Sequence, residues 1–288
     1  MLKIVEKTKV WFAISLLVIL IGMGFMATRG LNLGIDFKGC TVLDIKMNQE
    51  FKKADVDKII EKHAKNEYIS KTIDDTKSLE ITIKSEALSP DQIAVMVKEI
   101  KAEFKSSELT SQDTIGASVG TELKSKAIIA LIIATICMLV YIGFRFELSF
   151  GIAAIIALLH DVIITIGVYT VFSIPVNSTF IAAILTIIGY SINDTIVIFD
   201  RIRENQKNMR KASLEEVINT SVTQTMSRSI NTVATTLFTI VAVYVFVPSI
   251  RELSFPLIIG ILVGCYSSIF IASPVWYVLK KRAKRARA

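Results

Sequence analysis

Asp194 lies in the apolar run Phe180 to Phe199, within Gly189-Tyr190-Ser191-Ile192-Asn193-Asp194-Thr195-Ile196-Val197-Ile198-Phe199-Asp200. The run is long enough to cross a bilayer. Its carboxylate therefore falls in the hydrocarbon or at its inner edge, where an ionised side chain costs about 2.5–3.5 kcal/mol on insertion scales. Two roles suit such a group: it takes up and releases a proton, or it hydrogen-bonds neighbouring helices as packing glue. Downstream, Ser221, Thr225, Arg228, Thr232, Thr235 and Thr239 recur at spacings of three and four, which sets them on one helical face. Lipid offers that face no hydrogen bonds, so it turns toward other helices or trapped water. An acid withdrawn from water and set beside a guanidinium is pushed toward neutrality by the first and toward charge by the second. That opposition is what a switchable proton site requires, and Asp194 with Arg228 supplies it. The same two residues also suit a static ion pair.

Asn193, Asp161 and Thr232 are accessory polar candidates. His160-Asp161 sits mid-run in Leu148 to Phe172, and three readings of it stay open: proton movement, a hydrogen bond to another helix, or capping of a kink. Asp200, Arg201 and Arg203 close the Asp194 run as a charged cluster suited to a membrane interface. Other chemistries find little support. Cys40, Cys137 and Cys265 are too few and too scattered for a metal cluster or a disulfide framework, and His63 and His160 lack ligand spacing. No metal and no cofactor is expected. An intramembrane aspartyl protease built on Asp161 and Asp194 would want a Gly-x-Gly-Asp context, whereas Asp194 follows Tyr-Ser-Ile-Asn.

The elements that position these residues follow from composition. The 288 residues are 52% hydrophobic yet 20% charged, with a mean hydropathy of +0.55, so apolar and charged sequence must be segregated. Residues 28–122 carry a net charge of −3 and the remainder +10. The basic balance thus lies beside membrane segments and fits anionic head groups, not nucleic acid. The first run, Val10 to Ala27, lacks a small-x-small cleavage site and reads as an uncleaved helix 1, so residues 1–27 form the N-terminus and that helix.

Residues 28–122 read as an α+β domain: a strand at Cys40 to Met47, a helix at Lys53 to Lys65, and strands at Tyr68 to Ile73 and Ser78 to Lys84 joined by a turn through Asp74-Asp75-Thr76-Lys77. A second helix follows, with Ser89 as N-cap, Pro90 at its first position, Gln92 closing a capping box and Leu88 stapled to Ile93; its apolar face is Ile93, Val97, Ile100 and Phe104. A weak last strand at Thr114 to Val119 completes a β-α-β-β-α-β, ferredoxin-like order. Residues 123–279 hold five more runs: Ala127 to Phe144, Leu148 to Phe172, Phe180 to Phe199, Asn231 to Val247 and Phe255 to Leu279. An amphipathic connector near 202–227, capped by Ser213-Leu214-Glu215-Glu216, is expected to lie on the inner membrane surface, with a plain solvated loop as its alternative. Gly260, Gly264 and Ser268 form a small-residue face for close helix packing. Arg145, the Arg201–Lys211 cluster and the basic tail 280–288 weight one side of the membrane. Positive-inside reasoning places both termini in the cytoplasm and the α+β domain outside. The fold class expected is a polytopic α-helical membrane protein with six transmembrane helices and a small ferredoxin-like extracytoplasmic domain between helices 1 and 2.

Four motifs, Gly34-Ile35-Asp36-Phe37-Lys38-Gly39, Val119-Gly120-Thr121-Glu122-Leu123, Leu158-Leu159-His160-Asp161 and Gly189 to Asn205, together resemble the SecF family, and the resemblance covers nearly the whole chain. It implies membership of the resistance-nodulation-division superfamily, whose members work with twelve membrane helices, and hence a SecD-type partner subunit. It further implies a non-enzymatic accessory role in protein export through the Sec translocon channel. Proton entry down its gradient would drive movements that draw an exported polypeptide outward across the plasma (inner) membrane of a bacterium or archaeon. On this resemblance Asp194 is the fourth-helix carboxylate and Arg228 the fifth-helix arginine of the proton relay, while Gly34, Asp36, Phe37 and Gly39 belong to the extracytoplasmic motif. Cys40 departs from the family, which usually has a second glycine there. Half of a proton-driven small-molecule exporter is the rival with the same membrane architecture, but a domain of roughly a hundred residues is small for a drug-binding pocket.

Overall fold

The computed structural model describes residues 2–65, 67–73, 78–84 and 87–285, and the chain divides into two units, residues 33–129 and residues 1–32 with 130–288. The expected turn through Asp74-Asp75-Thr76-Lys77 and the last three residues of the basic tail lie outside the described residues.

In the first unit a single helical turn, α2 (Ile35–Lys38), leads into β1 (Cys40–Lys46), α3 (Lys53–Ala64), β2 (Tyr68–Ile73), β3 (Ser78–Lys84), α4 (Pro90–Glu103) and β4 (Glu108–Thr114). The sheet order is β2-β3-β1-β4 with every pair antiparallel, which is the ferredoxin-like arrangement. Strand β1 alternates Leu43 and Ile45, both buried, with outward polar residues. Its inner face meets Val56 and Ile60 of α3 and Ile93, Met96 and Ile100 of α4 in one cluster. The cap of α4 is the expected one: the Ser89 amide donates to Gln92 Oε1 at 2.9 Å, and the Gln92 amide donates to Ser89 Oγ at 3.3 Å. The last strand is a correction. It occupies Glu108–Thr114 and not Thr114 to Val119, because as an edge strand it is held by backbone pairing to β1 and by Ser111 Oγ donating to Asp44 Oδ2 at 2.7 Å. Only Leu109 of this strand packs on the core, so apolar alternation gives it no signal.

The Gly34 to Gly39 motif forms α2 and the turn after it. Gly39 has φ +67°, a left-handed conformation open to glycine at little cost. A Cβ on Gly120, in the first turns of α5 (Ala117–Arg145), would stand 3.0 Å from the Asp36 carbonyl oxygen and 3.3 Å from the Gly39 nitrogen. Two motifs distant in sequence thus meet backbone to backbone, and Gly120 is what permits it. Cys40 follows at the start of β1, 2% exposed, and burial pushes its thiol up from the usual range despite the ammonium groups of Lys38 and Lys84.

The other unit is helical: α1 (Thr8–Arg29), the remainder of α5, α6 (Leu148–Val171), α7 (Ser178–Asn208), α8 (Leu214–Phe246), and α9 (Arg251–Ser267) joined through a π-helical turn at Ser268–Ala272 to α10 (Ser273–Arg285). Six helices among the described residues are long and apolar enough to cross a membrane, and the chain is a multi-pass membrane protein. Helix α5 exposes large apolar side chains, among them Ile128, Ile132, Ile136 and Val140, as lipid-facing sequence does, while Leu131, Met138 and Ile142 pack on the core. Helices α6, α7 and α9 pack together at the centre, with α1 against α6 where Gly22 and Gly167 bring their backbones together. At one end Phe150 stacks on the fully buried Trp276 at 4.6 Å and packs on Phe199 at 4.7 Å.

The connector is also a correction. Residues 202–208 complete α7, and 214–227 are the first turns of α8, which continues without a break to Phe246. The Ser213 cap forms, its Oγ accepting from the Glu216 amide at 3.1 Å. The apolar face Val217, Ile218 and Val222 is buried in the same cluster as Phe199, Ile202 and Trp276. Asn205 Nδ2 donates to Ser221 Oγ at 2.9 Å and to Gln224 Oε1 at 2.8 Å, closing the α7–α8 hairpin.

Since the thiolate is the reactive form and burial disfavours it, Cys40 should be alkylated by N-ethylmaleimide about tenfold or more slowly in the folded chain than in the unfolded one. Its pH–rate curve should be displaced above the ordinary thiol range. The measurement needs Cys137 and Cys265 replaced by alanine, and equal rates in the two states would show that the start of β1 is open to solvent.

Candidate functional site

Helix α7 enters its polar stretch one residue at a time. Ser191 and Thr195, four apart, are buried toward α9; Asp194 is half-buried toward α8; Asn193 is exposed. The close approach of α9 is made by glycine: a Cβ on Gly260 would stand 2.2 Å from the Ile187 side chain, and one on Gly264 would stand 3.1 Å from Ser191 Cβ. The expected small-residue face on α9 therefore meets α7. It brings Ser268 Oγ within 2.7 Å of Thr195 Oγ1 and lets it donate to the Ser191 carbonyl at 3.2 Å.

Asp194 receives its one protein hydrogen bond from Ser229 of α8, whose hydroxyl donates to Oδ1 at 2.5 Å; Oδ2 is buried and has no partner among the described residues. Arg228 makes no hydrogen bond to it, although its charge lies near enough to act on the carboxylate. No ion pair joins the two, and Arg228 is exposed on α8 while the next residue, Ser229, is buried. Helix rotation decides which of the two neighbours on α8 makes the contact. Adjacent residues lie about 100° apart on a helix, and α8 turns the serine, not the arginine, toward α7. Ser221 and Thr225 share the buried side, whereas Thr232, Thr235 and Thr239 are exposed in this chain. The exposed threonines Thr235 and Thr239 are satisfied by donating to backbone carbonyls one turn back on α8. Asp194 and Thr232 line a cavity of about 20 Å³ with Tyr190, Ser191, Asn193, Val233, Ile261 and Cys265. That is space for about one water molecule.

Asp161 of α6 is fully buried and fully used. Its Oδ1 lies 2.9 Å from His160 Nδ1, and its Oδ2 accepts from Ser191 Oγ at 2.6 Å and from Ser267 Oγ at 2.7 Å. His160 Nε2 lies 3.0 Å from Ser15 Oγ on α1, Ser15 lies 3.4 Å from Tyr266 Oη, and Tyr266 donates to the Trp11 carbonyl at 2.9 Å. Of the three readings open for His160-Asp161, hydrogen bonding between helices is the one this geometry displays. Asp200 takes Arg203 Nη2 at 2.9 Å and Arg145 Nη2 at 3.7 Å. The sequence offers a signal for Ser191, three residues before an acid, and for Ser229, one turn from the threonine stripe, but none for Ser267.

The sequence pattern of the family described as "Protein export membrane protein SecD/SecF, C-terminal" matches residues 95–282, and that of the "SecD/SecF GG Motif" matches residues 24–50. The protein translocase subunit SecF of Sebaldella termitidis is 38% identical over 98% of this chain and 93% of its own length, and that of Calditerrivibrio nitroreducens is 39% identical over 97% and 94%. The crystal structure of SecDF, a translocon-associated membrane protein from Thermus thermophilus, superposes with a TM-score of 0.84 at 31% identity, covering 97% of this chain. SecDF in a super-membrane-facing form gives a TM-score of 0.73 at the same identity. The chain spans about two fifths of the length of those SecDF chains. Matched along nearly its whole length by SecF subunits and over most of it by the family pattern, the chain belongs to the SecF branch of the SecD/SecF family of protein-export membrane proteins.

Proposed function

We propose that this chain is an accessory subunit of the Sec protein translocase that uses the proton motive force to promote export of polypeptides, with Asp194 as the group that takes up and releases the proton. One observation carries the reading: a carboxylate between spanning helices has one oxygen held by Ser229 and the other buried without a partner among the described residues, beside a cavity with room for about one water molecule. A purely structural acid at that depth would have both oxygens satisfied, since an unmet buried charge is costly. Membership of the SecF branch supports the export role.

The further parts of the reading follow from charge and exposure. Arg228, exposed beside the Thr232, Thr235 and Thr239 face, is directed at a SecD-type partner subunit that completes the relay, because bare lipid would leave a guanidinium unpaired. Asn193 and Thr232 are the accessory groups around the cavity. Both termini are cytoplasmic, in the plasma membrane, and residues 28–122 lie outside, where they meet the exported chain emerging from the translocon channel; Lys280, Lys281 and Arg282 face anionic lipid. Gly34, Asp36, Phe37 and Gly39 shape the join between helix and sheet in that unit. One elementary charge crossing 100 mV releases about 2.3 kcal/mol. That is enough to bias a two-state arrangement roughly fifty-fold.

In membrane vesicles carrying the chain with its partner, Asp194→Asn should abolish the ionophore-sensitive part of export while the protein stays inserted and bound; undiminished export would remove the proton role. Ser229→Ala should weaken the α7–α8 contact by on the order of 1 kcal/mol. A double-mutant cycle with Asp194→Asn in thermal unfolding should return a coupling of about that size, and zero coupling would show that the Ser229 bond contributes nothing.

A further inference from the structure

Deeper in the bundle lies a second acid that the reading above does not use. Asp161 is 0% exposed, and its carboxylate is held from three sides by His160 on its own helix, Ser191 on α7 and Ser267 on α9. Two details distinguish it from a static brace. Ser191, whose hydroxyl donates to Asp161, is also among the residues that line the Asp194 cavity, three residues along the same helix. Ser267 Oγ lies 2.7 Å from Asp161 Oδ2 and 3.1 Å from the Gly264 carbonyl oxygen, so it has two acceptors for its single proton.

We propose that Asp161 is a second proton-holding carboxyl, loaded from Asp194 through the hydroxyl of Ser191. The step balances. The Asp194 carboxyl proton passes by one water in the cavity to Ser191 Oγ, and the proton already on Ser191 Oγ passes to Asp161 Oδ2. Asp194 is left ionised, Asp161 neutral and Ser191 unchanged. Ser267 makes both states tolerable. While Asp161 is charged, Ser267 donates to it; once Asp161 is neutral, Ser267 turns its proton to the Gly264 carbonyl and accepts the new O–H. His160 positions the carboxylate through Oδ1 in both states. The titratable groups linked to Asp161 are His160 on α6 and, through Ser15 of α1, Tyr266 on α9; Asp194 and Cys265 line the cavity on the far side of Ser191. The switch of Ser267 occurs against the π-helical turn that begins at Ser268, an irregularity of the kind that recurs at functional sites. Loading Asp161 therefore changes the contact between α6 and α9 at the point where the last membrane segment is least regular.

This inference rests on Asp194 being a proton site, and the experiment separates the two. Infrared difference spectra of the complex with its partner in liposomes, titrated in pH, should contain two carboxyl C=O bands from the bundle. Asp194→Asn should remove one and Asp161→Asn the other. Ser191→Ala, which trims one oxygen and folds even if Asp161→Asn does not, should keep both bands and slow deuterium exchange at the Asp161 band by about a hundredfold. A spectrum in which Asp161→Asn removes no titrating band, or a Ser191→Ala exchange rate equal to wild type, overturns the proposal while leaving Asp194 in place. Loss of the Asp194 role would appear separately, as a missing Asp194 band with export intact.

Discussion

Between lipid-bathed helices there is no water to expel, so contact has to come from close packing and from hydrogen bonds that lipid cannot supply. The meeting of α6, α7 and α9 is built on that constraint. Gly260 and Gly264 let α9 approach α7 until Ser191 and Thr195 touch Ser267 and Ser268 directly or through Asp161. Gly22 and Gly167 do the same for α1 and α6, which brings Ser15 to His160. The glycines and the hydroxyls form one device: without the first the second would stay out of reach, and without the second the approach would bury Asp161 unpaired. Individual bonds of this kind are worth about 0.6 kcal/mol on average. Their importance lies in the cost of leaving a buried charge unmet.

Seen from that seam, the two acids are distinguished by their surroundings and not by their chemistry. Asp161 has three hydrogen-bond partners and no exposure; Asp194 has one donor, partial exposure and a cavity beside it. Groups whose environments differ in this way are those that divide roles in proton chemistry. The division follows from where each acid sits on its helix. Asp161 points into the three-helix centre, whereas Asp194 lies one turn beyond Ser191 and faces α8, whose outer side is exposed in this chain.

What the sequence reveals of this arrangement tracks how local the cause is. The six spans are legible because a bilayer demands about 20 apolar residues in a row. The α4 cap is legible because Ser89, Pro90 and Gln92 are neighbours. Strand β4 is not, since its polar residues are held by the backbone of β1, and neither is the join of the α7–α8 connector into long helices, which depends on Val217 and Ile218 finding Ile202. The stripe from Ser221 to Thr239 is legible as polar, yet its spacing cannot give the rotation of α8. One residue, or about 100°, decides whether Arg228 or Ser229 meets Asp194, and packing of the whole helix sets that angle.

Helix α8 also ties the Asp194 site to the beginning of the chain. Ten residues before Ser229, Asn219 accepts from the Ile4 and Val5 amides at 3.0 and 3.2 Å and donates to Glu6. Thr223 accepts from the Leu2 amide at 3.1 Å, and Ile4 and Val5 are buried against the same core. Ten residues of unbroken helix span about 15 Å, with no glycine or proline between Asn219 and Ser229 to absorb a bend. A change of charge at Asp194 that alters its bond to Ser229 therefore has two ways to relax. Either that bond lengthens alone, or α8 shifts as a rod and takes the docked N-terminal segment with it. The Trp11 indole, donating to the Ile4 carbonyl at 3.1 Å, extends the same rigid connection into α1, whose Ser15 lies one turn further along beside His160. Asp194 and Asp161, on different helices, are thus linked through the same N-terminal segment.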